Sequence, residues 1–393
     1  MRRLSIAMVC PQFRPLVGGY ERAAERLSEA LARLGHRVVV ITERRNRRWP
    51  AREVLAGFEV RRLPCLPRRG LHVATASSAL AAYLLGSRRP DLIHVHQYGA
   101  SAATAIACAR LRRVPAVLKV TNTGPHGLGP VLERQRLRRL QRALHLRADA
   151  CVATSRRAAE ELAGLGVPSD RIRCIPNGVD CEAYRPVDPA TRERLRRRLG
   201  LGPGPVVLFL GRLVPQKAPD LLLVAVGRLV GRLPPELRPE LVYAGEGPLR
   251  AELRKAARSW PEIRVRFPGA VPDPRPWLGA ADLLALPSRF EGLSNALLEA
   301  LACGLPVVAS RVSGTEDVFA AGEVGRLVEP GDAEGFGRAL AELLADPGLR
   351  ARVAGEARRV AEKAFSLDAV AEQTLALYEG LLAGRAAAGE AGA

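Results

Sequence analysis

Long apolar runs are missing from this sequence. No stretch reaches about 18 consecutive apolar residues, the length that a membrane-spanning helix requires. The apolar residues 4–10 follow Arg2 and Arg3, but Pro11 and Arg14 interrupt them too early for a secretory signal. They are therefore interpreted as a first buried strand, and the chain is expected to be cytoplasmic.

Aromatic residues are also scarce, at 4% of the chain, and the basic segments contain no base-stacking motif or DNA-reading helix. We therefore expect no nucleic-acid partner. The seven cysteines are scattered and include no Cys-x-x-Cys pair. They are interpreted as buried free thiols in a reducing compartment, and no zinc site is expected.

Acidic residues are too few to balance the basic ones in the first half. Residues 1–190 hold 33 Lys and Arg against 15 Asp and Glu, whereas residues 191–393 hold 27 against 25. This asymmetry indicates an anionic partner or a peripheral contact with the inner face of the plasma membrane. The alternative is an arginine-rich composition on solvated faces. Likewise, residues 131–147 form either a basic interfacial helix or a core-facing helix with its arginines in water.

Strand and helix patterns alternate along the chain, which predicts an α/β protein with two doubly wound, Rossmann-like parallel sheets facing a central cleft. A tract rich in Pro, Arg and Gly at 185–205 marks the boundary. The predicted domains are 1–187 and 188–366. The helix 367–382 is expected to pack back on the first domain, and the tail 383–393 to be disordered.

Residues 288–304 are the segment around which the second domain is organised. They read as a loop and a short helix between two buried strands, with Ser294 at the N-cap and Gly304 at the end. A helix start at the carboxyl end of a parallel strand presents N–H groups to an anion. Glu291 and Glu299 could accept hydrogen bonds from a polyhydroxylated ligand. The alternative is an amphipathic helix with solvated glutamates.

Glycine turns follow other strands. Gly18 and Gly19 precede a helix after the first strand, although the sequence has no Gly-x-Gly-x-x-Gly motif. After the strand 206–210, Gly211 and Pro215 shape a turn that holds Arg212 and Lys217 at the strand's carboxyl end. A third turn has the sequence Ala244-Gly245-Glu246-Gly247-Pro248.

The order of these motifs resembles the retaining GT-B glycosyltransferases of family 4, over nearly the whole chain. The matching tracts are Gly18-Gly19, Gly35-His36-Arg37-Val38, Asp91-Leu92-Ile93-His94-Val95-His96, Ile175-Pro176-Asn177-Gly178-Val179-Asp180, Gly211-Arg212-Leu213-Val214-Pro215-Gln216-Lys217, Ala244-Gly245-Glu246-Gly247-Pro248, and Glu291-Gly292-Leu293-Ser294-Asn295 with Glu299. The resemblance implies a GT-B fold and transfer of a sugar from a nucleotide-diphosphate sugar, UDP- or GDP-linked, to a hydroxyl acceptor.

The resemblance also assigns roles to residues. Arg212 and Lys217 would neutralise the departing diphosphate, because charge grows on that leaving group as the glycosidic bond breaks. Glu291 would contact the donor sugar, and Glu299 the ribose. The remaining donor contacts implied by the family are main-chain ones, at Gly19, Gly211, Val271, Gly292, Leu293, Ser294 and Asn295.

Two further absences bear on mechanism. The sequence has no Asp-x-Asp metal motif, so the resemblance implies a metal-independent, front-face reaction without a cofactor. Many family members have a histidine that contacts the donor sugar where Thr121 stands here. Asn122, His126 or His96 could replace it, or Thr121 could itself bond the sugar or acceptor.

The function expected from all of this is a retaining hexosyltransferase of cell-envelope polysaccharide biosynthesis. Its acceptor would be anionic or lipid-linked: a polysaccharide, a glycolipid or a lipid-linked precursor. Two alternatives remain open at this point, a sugar-nucleotide epimerase of GT-B fold and a non-catalytic sugar-nucleotide-binding protein.

Overall fold

The structure is a computed structural model that describes residues 2–16, 18–66, 68, 71–134 and 137–390, except for the side chains of 386–390. The chain divides into two compact units. The first comprises 1–178 and 367–393, and the second comprises 179–366. Among the described residues, no helix combines the length and the apolar character needed to cross a bilayer.

The first unit contains an eight-stranded sheet with the order β3-β4-β2-β1-β5-β6-β7-β8. All pairs are parallel except β3 with β4. The strands are β1 (Ser5–Val9), β2 (Arg37–Arg44), β3 (Arg52–Leu55), β4 (Phe58–Pro64), β5 (Leu92–His96), β6 (Ala116–Val120), β7 (Ala150–Ala153) and β8 (Ile172–Cys174). The helices between them are α1 (Gly19–Arg33), α2 (His72–Gly86), α3 (Ala100–Leu111), α4 (Leu128–Glu133), α5 (Arg138–His145) and α6 (Arg156–Gly164).

The second unit contains a fully parallel six-stranded sheet with the order β11-β10-β9-β12-β13-β14. Its strands are β9 (Val206–Leu210), β10 (Glu240–Ala244), β11 (Val265–Gly269), β12 (Leu283–Leu286), β13 (Val307–Ser310) and β14 (Gly325–Val328). Its helices are α7 (Pro189–Leu199), α8 (Pro219–Val230), α9 (Arg250–Ala257), α10 (Arg275–Ala280), α11 (Asn295–Ala302), α12 (Ser313–Ala320), α13 (Ala333–Ala345) and α14 (Pro347–Ala364).

Each sheet has helices on both faces. Along β1, Ile6 and Met8 belong to one hydrophobic cluster, whereas Ala7 and Val9 belong to another on the opposite face. The same alternation divides the residues of β9 between two clusters. Strands buried on both faces are continuously apolar, which is why the sequence predicted two doubly wound sheets, and this prediction is confirmed.

The last helix, α15 (Leu367–Glu390), belongs to the first unit. Tyr378 is fully buried there and its hydroxyl lies 2.5 Å from Nδ1 of His94, while Arg385 forms a 2.7 Å ion pair with Asp149. The alanine-rich segment from residue 383, for which a disordered tail was expected, continues α15 as far as residue 390. Residues 391–393 lie outside the described residues.

The second unit begins at Val179, nine residues before the boundary expected at 188. The N–H of Val179 donates to the carbonyl of Phe365 at 2.8 Å, and Tyr184 packs in the second unit's core. Arg358 donates to the carbonyls of Cys181 and Tyr184 at 2.9 and 2.8 Å. The polar composition of this segment does not reveal these contacts.

Two other local features differ from the sequence-based prediction. Residues 131–147 include the end of α4 and all of α5 rather than one helix, and 135–136 lie outside the described residues. The antiparallel strand β3 was not predicted; its turn uses two residues with positive φ, Ala56 and Gly57, and alanine is an unusual residue there.

The seven cysteines are free thiols. Four are buried, Cys65 and Cys181 are half-buried, and Cys174 is exposed.

Candidate functional site

The loop after β9 places two cations at the carboxyl end of the second unit's central strand. Gly211 has φ of +153°, a conformation that favours glycine. Arg212, the next residue, is exposed, and none of the described residues forms a hydrogen bond or ion pair with its guanidinium. Lys217 ends a 3-10 turn over Pro215–Lys217. The loop thus presents one unpaired guanidinium, with an ammonium five residues further along.

The neighbouring glycine turn supports this loop through backbone contacts. The N–H of Gly211 donates to the carbonyl of Ala244 at 3.1 Å, and that of Leu213 donates to Glu246 at 2.9 Å. A Cβ atom on Gly245 would lie 1.8 Å from the carbonyl oxygen of Gly211, and one on Gly247 would lie 2.3 Å from that of Leu213. Both glycines are therefore needed so that the two loops can approach each other.

The loop after β12 lies beside Lys217. Its ammonium forms an ion pair with the carboxylate of Glu291, and the two side chains are only 13% and 15% exposed. The hydroxyl of Ser288 donates to Oε2 of Glu291 at 3.4 Å. Because this pair is largely sheltered from water, each charge holds the other in place, in contrast to the exposed Arg212.

Gln216 joins the same two loops. Its carbonyl accepts a 2.8 Å hydrogen bond from the N–H of Arg289, and its Nε2 donates to the carbonyl of Phe290 at 3.2 Å. Gln216 directly precedes Lys217, and Phe290 directly precedes Glu291. These hydrogen bonds therefore hold the two loops together beside the Lys217–Glu291 pair. Gln216 was not a predicted site residue, since no local pattern indicates a contact 74 residues away.

The start of α11 is packed against α12. Ser294 occupies the N-cap position as predicted, but its hydroxyl forms no capping hydrogen bond. The N–H of Gly314 donates to the carbonyl of Gly292 at 3.1 Å, and a Cβ on Gly314 would lie 2.6 Å from that oxygen. Gly292, Leu293 and Ser294 are buried in this contact, and the turn ends in the half-buried Asn295. The N-terminus of α11, where the helix dipole is positive, therefore lies a few residues after Glu291 in the chain.

Glu299 and Val271 lie deeper in the second unit. Glu299 is 1% exposed within α11. Together with burial, its charge raises the pKa of the Cys303 thiol to about 12, burial being the larger cause. Val271 follows β11 and packs against the cluster that contains Leu293 and Leu297. The second unit therefore places Arg212, Lys217 and Glu291 on adjacent loops, with Glu299 behind them in the helix.

In the first unit, α1 begins at Gly19 and Gly18 is its N-cap. A Cβ on Gly18 would lie 2.5 Å from Oε2 of Glu21, whose other oxygen accepts a 2.7 Å hydrogen bond from Gln12. Burial raises the pKa of Glu21. Gly18 thus makes room for a buried carboxyl group over the helix start.

The strand ends beside α1 carry the expected sugar or acceptor contacts. His96 is fully buried and stacks on His94 at 4.4 Å, and neither of its ring nitrogens has a hydrogen-bond partner among the described residues. Burial lowers the pKa of His96 and lowers that of His94 to about 3. In this position His96 belongs to the core of the first unit rather than to its surface.

Thr121, Asn122 and His126 follow β6. The hydroxyl of Thr121 donates to Oε1 of Gln97 at 3.4 Å, Asn122 is half-buried, and His126 is exposed. The loop is held at its backbone: the hydroxyl of Tyr98 donates to the carbonyl of His126, and the N–H of Gly124 donates to Glu161 at 2.8 Å. These two anchors were not predicted.

Lys119 was not predicted either, because it lies within an apolar strand. It is 2% exposed and pairs with His96 in the β5–β6 register. Burial lowers its pKa to about 8. None of the described carboxylates lies within ion-pair distance of its ammonium.

Both halves of the chain match known family models. Residues 204–346 match the family model described as glycosyl transferases group 1, and residues 17–183 match glycosyltransferase family 4. The D-inositol 3-phosphate glycosyltransferase of Xylanimonas cellulosilytica is 32% identical over 387 residues, 92% of this chain and 91% of the relative. A GDP-mannose-dependent alpha-(1-6)-phosphatidylinositol monomannoside mannosyltransferase of Mycolicibacterium smegmatis is 35% identical over 294 residues, 70% and 74% of the two chains.

Solved structures share the architecture. Sucrose-phosphate synthase from Thermosynechococcus elongatus superimposes with a TM-score of 0.80 at 26% identity, covering 97% of this chain and 100% of that one. Anabaena HepE, crystallised with UDP and glucose, gives a TM-score of 0.78 at 21% identity, with 96% and 100% covered. With both family models matched and a relative 32% identical over nearly its whole length, this chain belongs to the group 1, family 4 glycosyltransferases and has the GT-B fold.

Proposed function

We propose that this glycosyltransferase moves a hexose, with retention of anomeric configuration, from a nucleotide-diphosphate sugar to a hydroxyl of an anionic or lipid-linked acceptor. The observation that carries the proposal is the pair of linked loops in the second unit. They place an unpaired, exposed Arg212 beside a sheltered Lys217–Glu291 pair. Two fixed cations and a carboxylate suit a diphosphate leaving group joined to a hydroxylated ring.

In the proposed mechanism the charge that grows on the departing diphosphate is stabilised by Arg212 and Lys217. The N–H groups of Gly292–Asn295 would donate hydrogen bonds to oxygens of the sugar nucleotide at the start of α11, and Glu291 would accept hydrogen bonds from the sugar hydroxyls. The acceptor hydroxyl would attack from the face that the diphosphate leaves, and a phosphate oxygen would take its proton. No divalent cation is required in this scheme, since the two side chains supply the positive charge.

The identity of the substrates is proposed from the relatives. One is named for D-inositol 3-phosphate, and the other for GDP-mannose and a phosphatidylinositol monomannoside. Both names describe acceptors that join a polyol to a phosphate. We therefore propose a phosphate-bearing polyol acceptor, free or attached to lipid, and a GDP- or UDP-linked hexose as donor, in cell-envelope synthesis.

A contact with the cytoplasmic face of the membrane would suit a lipid-linked acceptor. The proposal is supported by α5, where Leu137 and Leu140 are 62% and 55% exposed next to Arg138, Arg139 and Arg142. Apolar side chains among arginines are the pattern of helices that lie in a membrane interface. Sedimentation with vesicles containing an acidic phospholipid at low salt tests it, and we expect Leu140→Ser to weaken binding. No sedimentation by the unaltered chain would remove this part of the proposal.

Nucleotide release over a panel of UDP-, GDP- and ADP-hexoses, with and without inositol phosphates, tests the reaction itself. The anomeric configuration of the product, read by NMR, distinguishes retention from inversion. Arg212→Ala should reduce transfer about 10²–10³-fold, as loss of a charge-stabilising group typically does. Arg228→Ala, an exposed arginine on α8, is the matched control and should transfer normally. Normal turnover by the Arg212→Ala variant would contradict the site assignment.

A further inference from the structure

A group of metal-binding side chain types lies in the first unit, at the ends of β2 and β4 and the start of α2. Glu43 is near the end of β2, Cys65 directly follows β4, and His72 is the first residue of α2. One ligand atom of each residue lies within 4.8 Å of those of the other two. Across the described residues, this is the one group of three such side chains found that close together.

The sheet brings these residues together. Strands β2 and β4 are parallel neighbours, and Glu43 pairs with Leu63 in their register. Cys65 lies two residues beyond Leu63, where the alternation of an extended chain returns its side chain to the same face. His72 reaches this face from α2, and its Nε2 lies 3.0 Å from Oε2 of Glu43. Three separate segments therefore converge on one point.

The set of ligands selects the kind of cation. A thiolate, an imidazole and a carboxylate are the three side chains that bind Zn²⁺ in proteins. Magnesium and calcium prefer oxygen ligands alone, so the cysteine and histidine argue against both. The two negative charges of a thiolate and a carboxylate would balance the charge of Zn²⁺.

One basic side chain competes for the carboxylate. A guanidinium nitrogen of Arg45 lies 2.8 Å from Oε2 of Glu43, and Arg45 also donates to Oε1 of Gln12 at 3.2 Å. The Arg45 side chain is 36% exposed, so water replaces the carboxylate readily if the guanidinium turns outward. A cation bound by three ligands outcompetes a single exposed ion pair.

The fourth position would be open. Glu43 and His72 also line a cavity of about 160 Å³, together with Pro11, Tyr98 and Ser101. Three protein ligands and one free position are the arrangement of zinc sites that bind water or a ligand oxygen. We propose that Glu43, Cys65 and His72 form a three-ligand Zn²⁺ site whose open position faces this cavity.

Such a site would join two strands and a helix at the carboxyl edge of the first sheet. Its three residues belong to the first unit, whereas Arg212 and Lys217 belong to the second, and the site does not depend on the proposed transfer reaction. The sequence did not reveal it, because Cys65 and His72 are seven residues apart and Glu43 precedes both by more than twenty. Glu43, Cys65 and His72 come together only through the pairing of β2 with β4 and the packing of α2 beside them.

Titration of the metal-free full-length chain with Co²⁺, a spectroscopic substitute for Zn²⁺, tests the proposal. We expect one equivalent to bind, with the near-ultraviolet absorption of a thiolate–cobalt bond, and Zn²⁺ to displace it. Cys65→Ser should abolish that absorption, and His72→Gln should raise the dissociation constant at least about tenfold. Cys174→Ser, which alters an exposed thiol elsewhere in the unit, should behave like the unaltered chain.

Circular dichroism of each variant without metal establishes that it is folded. If Cys65→Ser does not fold, His72→Gln decides the question, because a substitution at the first residue of α2 leaves the strands intact. The site is refuted if the unaltered chain binds no more cobalt than the His72→Gln variant. It is also refuted if the thiolate absorption survives Cys65→Ser in a folded protein.

Discussion

Arg212 and Lys217 are expected to contribute to the same reaction but to differ sharply in their effect on stability. Arg212 is exposed and forms no hydrogen bond or ion pair with the described residues, so Arg212→Ala should change the free energy of unfolding by less than about 0.5 kcal/mol. Its loss should nevertheless raise the activation barrier by about 3–4 kcal/mol, because the leaving diphosphate loses a fixed cation.

Lys217 is different because its partner is sheltered. Removing one member of a fully buried pair costs about 3–5 kcal/mol, and exposed pairs contribute about 0–1 kcal/mol. With side chains 13% and 15% exposed, Lys217→Ala should cost about 2–3 kcal/mol, since it removes the ammonium that is paired with the sheltered carboxylate of Glu291. For a unit of this size that corresponds to a fall in Tm of about 4–12 °C. The double variant Lys217→Met, Glu291→Gln should recover part of this loss.

Differential scanning fluorimetry and nucleotide-release kinetics on the same preparations measure both quantities. Lys255→Ala, an exposed lysine on α9, is the matched control and should change neither. An equal fall in Tm for Arg212→Ala and Lys217→Ala would contradict the assigned difference between the two cations. So would a double variant whose loss of stability exceeds the sum of the losses of the two single variants.

Other predictions concern packing, pH and metal. Gly245→Ala should unfold the second unit or lower its Tm by more than 10 °C (about 3 kcal/mol or more), because the new Cβ would lie 1.8 Å from a carbonyl oxygen; Gly231→Ala, with open space around it, should be tolerated in the same melting assay. Stability should fall as pH drops below about 6.5, since the unfolded state then protonates histidines that stay neutral in the fold, where the pKa of His94 is about 3 and that of His96 is also lowered. Each contributes up to about 1.4 kcal/mol per pH unit once the pH is well below 6.5, so the stability of His96→Asn, measured by urea denaturation, should fall less steeply between pH 6.5 and 5, by about 1 kcal/mol per pH unit. An unchanged slope would contradict the assignment. Addition of EDTA should leave donor hydrolysis unchanged, measured as nucleotide release without acceptor, since the proposed zinc cluster is not part of the donor loops; a loss of hydrolysis restored by Mg²⁺ would overturn metal independence.

The sequence predicts backbone conformation better than it predicts contacts between distant residues. Gly211, Gly245 and Gly247 stood out in the sequence as glycine turns, but the structure requires glycine at these positions for different reasons. Gly211 has a positive φ, whereas Gly245 and Gly247 make room for the carbonyl oxygens of Gly211 and Leu213. The local sequence indicates that a turn needs glycine. It does not indicate which atoms of a distant segment occupy the space where a side chain would be.

The same limit explains why the burial of His96 was not predicted. His96 was a candidate contact because it ends a strand, and strand ends carry functional side chains in open sheets. The structure buries it against His94 and beside Lys119, on the face of the sheet that α15 covers through Tyr378. The covering residue lies more than 280 positions along the chain, so no local pattern could report it.

By itself the sequence determined the alternation of strands and helices, the two parallel sheets, and the loops that carry Arg212, Lys217 and Glu291, because periodicity and turn residues act over a few neighbours. Tertiary structure alone decided that Lys217 is paired with Glu291 while Arg212 stays free, that the second unit begins at Val179, and that Glu43, Cys65 and His72 meet. Those outcomes depend on strand order and register, which join residues far apart in the chain, and on burial, which sets whether a charge needs a partner.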